Sequence, residues 1–483
     1  MTVGSGGRVS LGVPGADEVL HGGLLPARSY MLRGAAGTGK TIVGLHYLTA
    51  GVAAGDDCLF VAFEEPAADL RANAAALDFD LDDVDILDLS PDASEFLEDD
   101  QYSVFAPDAV EGASVTDRIV DAVETLDPDR LFLDPLTKMQ YLSPDDYQFR
   151  QEVAGLMSYL ENRGTTVLFS TQPTESRPDE DLQYLCDGAI TLERTDTGRS
   201  LSVVKFRGSD FQPGSHALRI TGSGLEVYPR LVPGDFEREV TGERVGSGVD
   251  GLDALLEGGI ERGSVTVLSG PSGVGKSTTA SHFLTESAAR GERAAAFLFE
   301  ETEASLRYRS RSIGLPIDEM IDRGDLSVEY VEPLALSTDE FAHRVRRAVD
   351  ADDVEMVLID GAAGYRLSLR GDDDALVPEL HALVRYLRNM GVTVILTEET
   401  KSVTGEFRPT SENISYLADN LVFIRYLEAR GEMRKAIGVL KKRLGDFEPT
   451  LRELRITQSG LEVGEPLEHL RGILTGTPEW VDD

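Results

Sequence analysis

Short apolar runs of β-type alternate along this chain with longer stretches in which apolar residues recur every three or four positions. The first half carries such runs at Ser29–Arg33, Cys58–Phe63, Arg130–Leu133 and Thr165–Ser170. The second carries them at Val265–Ser269, Ala294–Phe299, Met356–Ile359 and Thr393–Thr397. Thr41–Ala54 reads as the amphipathic helix behind the first run. Strand, helix, strand, helix predicts an α/β fold: a mostly parallel sheet with helices on both faces. Late in each half, Ala189–Leu192 with Leu201–Phe206, and Leu421–Arg425 with Ile437–Lys441, predict antiparallel hairpins at the sheet edge.

The pattern occurs twice in register. Lys40 and Lys276, Glu64 and Glu300, and Arg219 and Arg455 are each 236 positions apart. The last pair lies in Leu-Arg-Ile-Thr-Gly-Ser-Gly-Leu-Glu-Val (218–227) and Leu-Arg-Ile-Thr-Gln-Ser-Gly-Leu-Glu-Val (454–463). A tandem duplication follows, with a first domain over 1–229, a charged linker over 230–243, a second domain over 244–470 and a short tail over 471–483.

Charge narrows the functional classes. There are 46 Lys+Arg against 85 Asp+Glu, a net charge of −39. Beyond Lys40 and Lys276 the lysines are only Lys138, Lys205, Lys401, Lys435, Lys441 and Lys442. An acidic, Lys-poor surface suits a high-salt cytoplasm, where screening relieves self-repulsion. It argues against DNA as a partner, since phosphate backbones bind clustered cations. No apolar run reaches membrane-span length and no charged-then-apolar leader precedes the first repeat, so a cytoplasmic protein without membrane attachment is expected. Cys58 and Cys186, both in apolar strand-like contexts, are expected to be buried free thiols.

The chemistry sits at the ends of the apolar runs. Gly34-Ala35-Ala36-Gly37-Thr38-Gly39-Lys40-Thr41 and Gly270-Pro271-Ser272-Gly273-Val274-Gly275-Lys276-Ser277 each follow a strand and open a helix. This is the phosphate-binding P-loop: glycines let backbone N–H groups close round a β-phosphate, Lys bridges to the γ-phosphate, and Thr41 or Ser277 ligates Mg2+. ATP and Mg2+ are the expected ligands. Asp134 and Asp360, each ending a later apolar strand, are the expected second magnesium carboxylates. Glu64-Glu65 and Glu300-Glu301 end the strand after the P-loop helix, and one of each pair can act as general base. Glu64 and Glu300 are favoured, with Glu65 and Glu301 as alternatives. Lys205 with Arg207, and Lys441 with Arg443, lie two apart on a late strand and share a face. Remote from their own P-loop, they are placed to reach a neighbouring subunit's γ-phosphate.

These residues together resemble the RecA-like ATPases, and most closely the KaiC family of two-domain circadian-clock-type ATPases. The most specific match is Glu428-Ala429-Arg430-Gly431-Glu432-Met433-Arg434-Lys435-Ala436-Ile437, which is similar to that family's second-domain signature. The resemblance implies two tandem RecA-like P-loop NTPase domains and a double-ring homohexamer. It further implies ATP at subunit interfaces, ATPase activity in both rings and serine/threonine autophosphorylation in the second. The family's Ser-Thr acceptor pair matches Ser415 and Tyr416, so Ser415 is the candidate acceptor, with Thr410 and Ser411 as weaker ones. The expected role is a signalling or timing module with a partner protein the sequence does not identify. The rival reading is a RecA/RadA-type DNA recombination or helicase ATPase. A guanine-reading Asn-Lys-x-Asp motif is absent.

Overall fold

A computed structural model describes residues 7–91, 115–173, 179–195, 198–232, 242–369, 373–400, 410, 414–429, 431–472 and 479–480. The chain divides into two compact units, Met1–Arg230 and Leu231–Asp483.

In the first unit the strands are β1 (Ser29–Gly34), β2 (Cys58–Ala62), β3 (Asp85–Asp88), β4 (Arg130–Asp134), β5 (Thr166–Thr171), β6 (Gly188–Thr195), β7 (Gly198–Phe206), β8 (Ser215–Thr221) and β9 (Gly224–Tyr228). They form one sheet ordered β3-β2-β4-β5-β1-β6-β7-β8-β9. The pairs from β3 to β6 are parallel and those from β6 to β9 antiparallel. Its two faces carry separate apolar clusters. Helix Lys40–Ala54 contributes Val43, Tyr47 and Leu48 to one, and helix Asp146–Arg163 contributes Val153, Leu156 and Leu160 to the other. Each such buried side chain contributes about 1.5–3 kcal/mol of transfer free energy.

The second unit opens with a ribbon of β10 (Arg244–Val245) and β11 (Ile260–Glu261). Its main strands are β12 (Val265–Gly270), β13 (Arg293–Leu298), β14 (Leu326–Tyr330), β15 (Val354–Asp360), β16 (Thr393–Glu399), β17 (Asn420–Ala429), β18 (Glu432–Lys442), β19 (Arg452–Thr457) and β20 (Gly460–Pro466). Their order, β14-β13-β15-β16-β12-β17-β18-β19-β20, repeats the first sheet. Both domains are therefore RecA-like: a mostly parallel sheet covered by helices.

One expectation changes. The late hairpins are not the sheet edge, because β8–β9 and β19–β20 continue each sheet past them. These are the segments 218–227 and 454–463, where apolar residues alternate with polar ones: Leu218 is buried beside exposed Arg219. Gly222-Ser223 and Gln458-Ser459 are the two-residue turns. The new edge strand folds back onto the P-loop helix. Leu225 N donates to His46 Nε2 (2.8 Å) and Leu461 N to His282 Nε2 (3.0 Å).

The helix itself sits very close to the sheet. A Cβ on Gly44 would lie 2.0 Å from Phe132 Cε1. The corresponding residues 236 and 226 positions on are Ala280 and Leu358, both buried. A larger helix residue accompanies a smaller strand residue. Gly44→Ala is expected to cost about 1–3 kcal/mol through overpacking. Urea denaturation should show most of that recovered in Gly44→Ala/Phe132→Leu, because the two changes couple.

Burial lowers the His46 pKa to about 4 and also lowers that of His282. Between about pH 4 and 6.5 the unfolded chain thus binds more protons at His46 than the folded one. The stabilisation is fully present above about pH 6.5 and is lost as pH falls towards 4. Wild type is expected to lose more stability than His46→Gln between about pH 7 and 5, read from urea midpoints at each pH.

Candidate nucleotide site

Strand β1 ends where its backbone passes too close to β6 for any side chain: a Cβ on Gly34 would lie 2.7 Å from Leu192 O. At Gly270 the corresponding distance, to Ile424 O, is 2.3 Å. The loops then turn through left-handed backbone at Gly37 (φ 74°) and Gly39 (φ 105°), and at Gly273 (φ 72°) and Gly275 (φ 118°). Lys40 folds back into the loop, its Nζ donating to Gly34 O (2.8 Å) and Ala35 O (2.9 Å). Lys276 does the same with Gly270 O and Pro271 O, both at 3.0 Å. Burial lowers both lysine pKa values, opposed by nearby carboxylates: Asp134 and Glu64 for Lys40, and Glu399, Glu300, Asp360 and Glu398 for Lys276.

The hydroxyl that opens each helix meets the carboxylate that ends a neighbouring strand. Thr41 Oγ1 donates to Asp134 Oδ2 at 2.5 Å, and Ser277 Oγ to Asp360 Oδ1 at 3.0 Å. Each carboxylate has a second hydroxyl donor that the sequence reading missed: Ser170 for Asp134, and Thr397 for Asp360 at 2.6 Å. The available signal was a hydroxyl residue closing the buried strand beside the P-loop strand in both copies. Burial raises the Asp134 pKa, with Ser170, Thr41 and Lys40 opposing it.

The acid pairs do not end the strands as expected but lie in bends just beyond β2 and β13, and the two acids of each pair have different partners. Glu64 faces the Lys40–Asp134 group and lies 3.0 Å from Lys138 Nζ, whereas Glu65 accepts from Asn73. Glu301 is bound by Arg309 at 2.6 Å. Glu300 sits where burial, Asp360 and Glu399 raise its pKa. Around the first set is a cleft of about 210 Å³ lined by Ala36, Gly37, Lys40, Thr41, Glu64, Glu65, Asp134 and Gln172 among others. Backbone amides, a buried lysine and one hydroxyl–carboxylate pair suit a Mg-bound polyphosphate, because magnesium takes few protein ligands and shares phosphate oxygens. Among the described residues no cluster of three or more His, Cys, Asp or Glu forms a metal site.

Lys205 and Arg207 are not part of this group. Lys205 pairs across to Ala189, which pairs with Met31 near the start of β1. Its Nζ donates to Gln183 O and Cys186 O, each at 2.6 Å, and Arg207 to Tyr184 O at 3.2 Å. Lys441 likewise donates to Ala418 O (2.6 Å), and Arg443 to Asp419 Oδ1 (3.1 Å). Exposed Ser415 lies in the turn at this same end, where Lys441 Nζ reaches its carbonyl at 3.3 Å. Asp419 N donates to Val265 O at the start of β12, while the P-loop follows the end of that strand. The six residues of this strand separate the two ends by about 17 Å. Thr410 lies in a half-buried bend; Ser411 and Arg430 are outside the described residues. Cys58 and Cys186 are buried free thiols whose pKa values burial pushes up to about 12 and about 11.

The fold and these sites define a protein of two tandem RecA-like P-loop domains. The chain belongs to the KaiC ATPase family, whose sequence model matches residues 9–232 and again 245–468. It is 26% identical to the "Circadian clock oscillator protein KaiC" of Acaryochloris marina, over 96% of this chain and 90% of that one. It is also 26% identical to "Circadian clock protein KaiC3" of Synechocystis sp., over 98% and 94% of the two chains. The identity to the Synechococcus elongatus oscillator protein is 27%, over 96% and 91%. No helix among the described residues is long and apolar enough to cross a membrane.

Lys40→Ala and Lys276→Ala are each expected to remove part of the rise in melting temperature produced by Mg·ATP, since a ligand stabilises only the state it binds. Thermal denaturation with and without nucleotide checks this.

Proposed function

We propose that this KaiC-family ATPase works in the cytoplasm as a double-ring homohexamer that hydrolyses Mg·ATP at subunit interfaces in both rings. The observation that carries the reading is the separation of parts. In each copy the P-loop, magnesium residues and Glu lie at one end of the sheet, and the Lys-x-Arg pair lies at the other. Parts that cannot meet within a domain can meet between subunits, where Lys205 with Arg207, and Lys441 with Arg443, stabilise charge on a neighbour's γ-phosphate.

Thr41 with Asp134, and Ser277 with Asp360, would hold Mg2+, which would offset negative charge on the phosphate oxygens when bound. Glu64 or Glu300 accepts a proton from the attacking water as its oxygen bonds to the γ-phosphorus. The bond to the bridging oxygen breaks, leaving ADP and phosphate. In the second ring Ser415 Oγ of one subunit takes the water's place at its neighbour's ATP, giving phosphoserine and ADP. That output suits a signalling or timing module read by a partner protein. The acidic chain speaks against the RecA/RadA-type alternative; tight single-stranded DNA binding at working salt would restore it.

Glu64→Gln and Glu300→Gln are each expected to remove one ring's share of steady-state ATP turnover, with the double variant slower by about 10²-fold or more. Incubation with γ-labelled ATP is expected to mark Ser415, and Ser415→Ala to lose the label. A label that persists elsewhere would move the acceptor, and no label at all would leave an ATPase without kinase output.

A further inference from the structure

The two copies differ four residues beyond the magnesium carboxylate. In the first that position is Lys138, whose ammonium lies 3.0 Å from Glu64 Oε1. In the second it is Gly364, where an added Cβ would lie 2.7 Å from Phe299 Cβ and 3.3 Å from Glu300 Cγ. The second copy has no room for a side chain there, and Glu300 packs over bare backbone. The first copy has a cation on the very carboxylate assigned as its base.

The position of that cation sets the direction of its effect. Among the described residues the cleft lining includes Glu64, Lys40 and Asp134 but not Lys138. The Glu64 carboxylate therefore lines the cleft while one of its oxygens is held by an ammonium that does not. The two side chains are 52% and 43% exposed, so the pair is weak and opens readily. A weak restraint on a catalytic group acts as a population tax: chemistry proceeds only from the open fraction.

We propose that Lys138 is a positioning residue that holds Glu64 away from the attacking water and so slows hydrolysis in the first ring only. The proposal rests on Glu64 being the base there. It makes the duplicated engines unequal by one side chain, with the first geared down.

The test uses the full chain carrying Glu300→Gln, so that turnover reports the first site. Adding Lys138→Ala is expected to raise kcat about two- to five-fold, the range an exposed ion pair allows, with KM for ATP unchanged. Lys138→Arg, which keeps the charge, should stay near the parent. Added NaCl should accelerate the parent and not the alanine variant, because salt screens exposed charge pairs. An unchanged or lower kcat in Lys138→Ala would overturn the proposal. So would an acceleration by Lys138→Ala in a Glu64→Gln background, where no carboxylate is left to release. Full turnover by Glu64→Gln alone would remove the base assignment itself, and with it the clamp.

Discussion

The seat of the P-loop helix on the sheet is the constraint on which both sites depend. The lysine and hydroxyl leave the first turn of that helix, while the carboxylate they face ends a strand beneath it. Close approach of Gly44 to Phe132 sets their separation in the first domain. In the second, Ala280 and Leu358 stand at the corresponding positions, both buried in one apolar cluster. The outcome is conserved between copies although the parts are not: a hydroxyl reaches a carboxylate in each. Packing here is therefore a condition of the chemistry as well as of stability.

The copies also diverge in charge. The strand beside the P-loop ends Thr171-Gln172 in the first and Glu398-Glu399 in the second, so Lys276 faces more negative charge than Lys40. Away from the site, Leu25 and Phe206 pack in the first apolar cluster. Their counterparts 236 positions on, Glu261 and Lys442, form a buried ion pair at 3.1 Å. Such a pair offers little net stability over an apolar one, yet losing one partner strands a buried charge. The second domain is thus built with less tolerance at this point than the first.

Most of the fold was legible because buried parallel strands are written as apolar runs with no polar alternation, and here they occur twice. That each P-loop lysine and hydroxyl would lie beside an aspartate and a glutamate was legible because P-loop chemistry calls for fixed residue types after strand ends. Ser170 and Thr397 were not, since a serine or threonine closing a strand has many uses and only the folded register shows it touching a carboxylate. The strands β8, β9, β19 and β20 are visible in the sequence as repeats but not as sheet: their alternation is short and their turns carry the glycine and serine of any loop. The Lys138–Glu64 contact was invisible for a different reason. It joins residues far apart in sequence, and its counterpart in the second copy is a glycine that makes no such contact.

The histidine beneath the last strand has a consequence for how each domain is made. His46 and Leu225 are 179 residues apart, and so are His282 and Leu461. The helix bearing Lys40 or Lys276 emerges early in synthesis, but the backbone amide that satisfies its histidine is among the last parts of the domain to leave the ribosome. Until then that ring nitrogen must stay with water, and the helix lacks its outermost cover. Each domain is knit shut by its final hairpin, so a nascent chain stopped before residue 225 carries a complete P-loop on an unsealed helix.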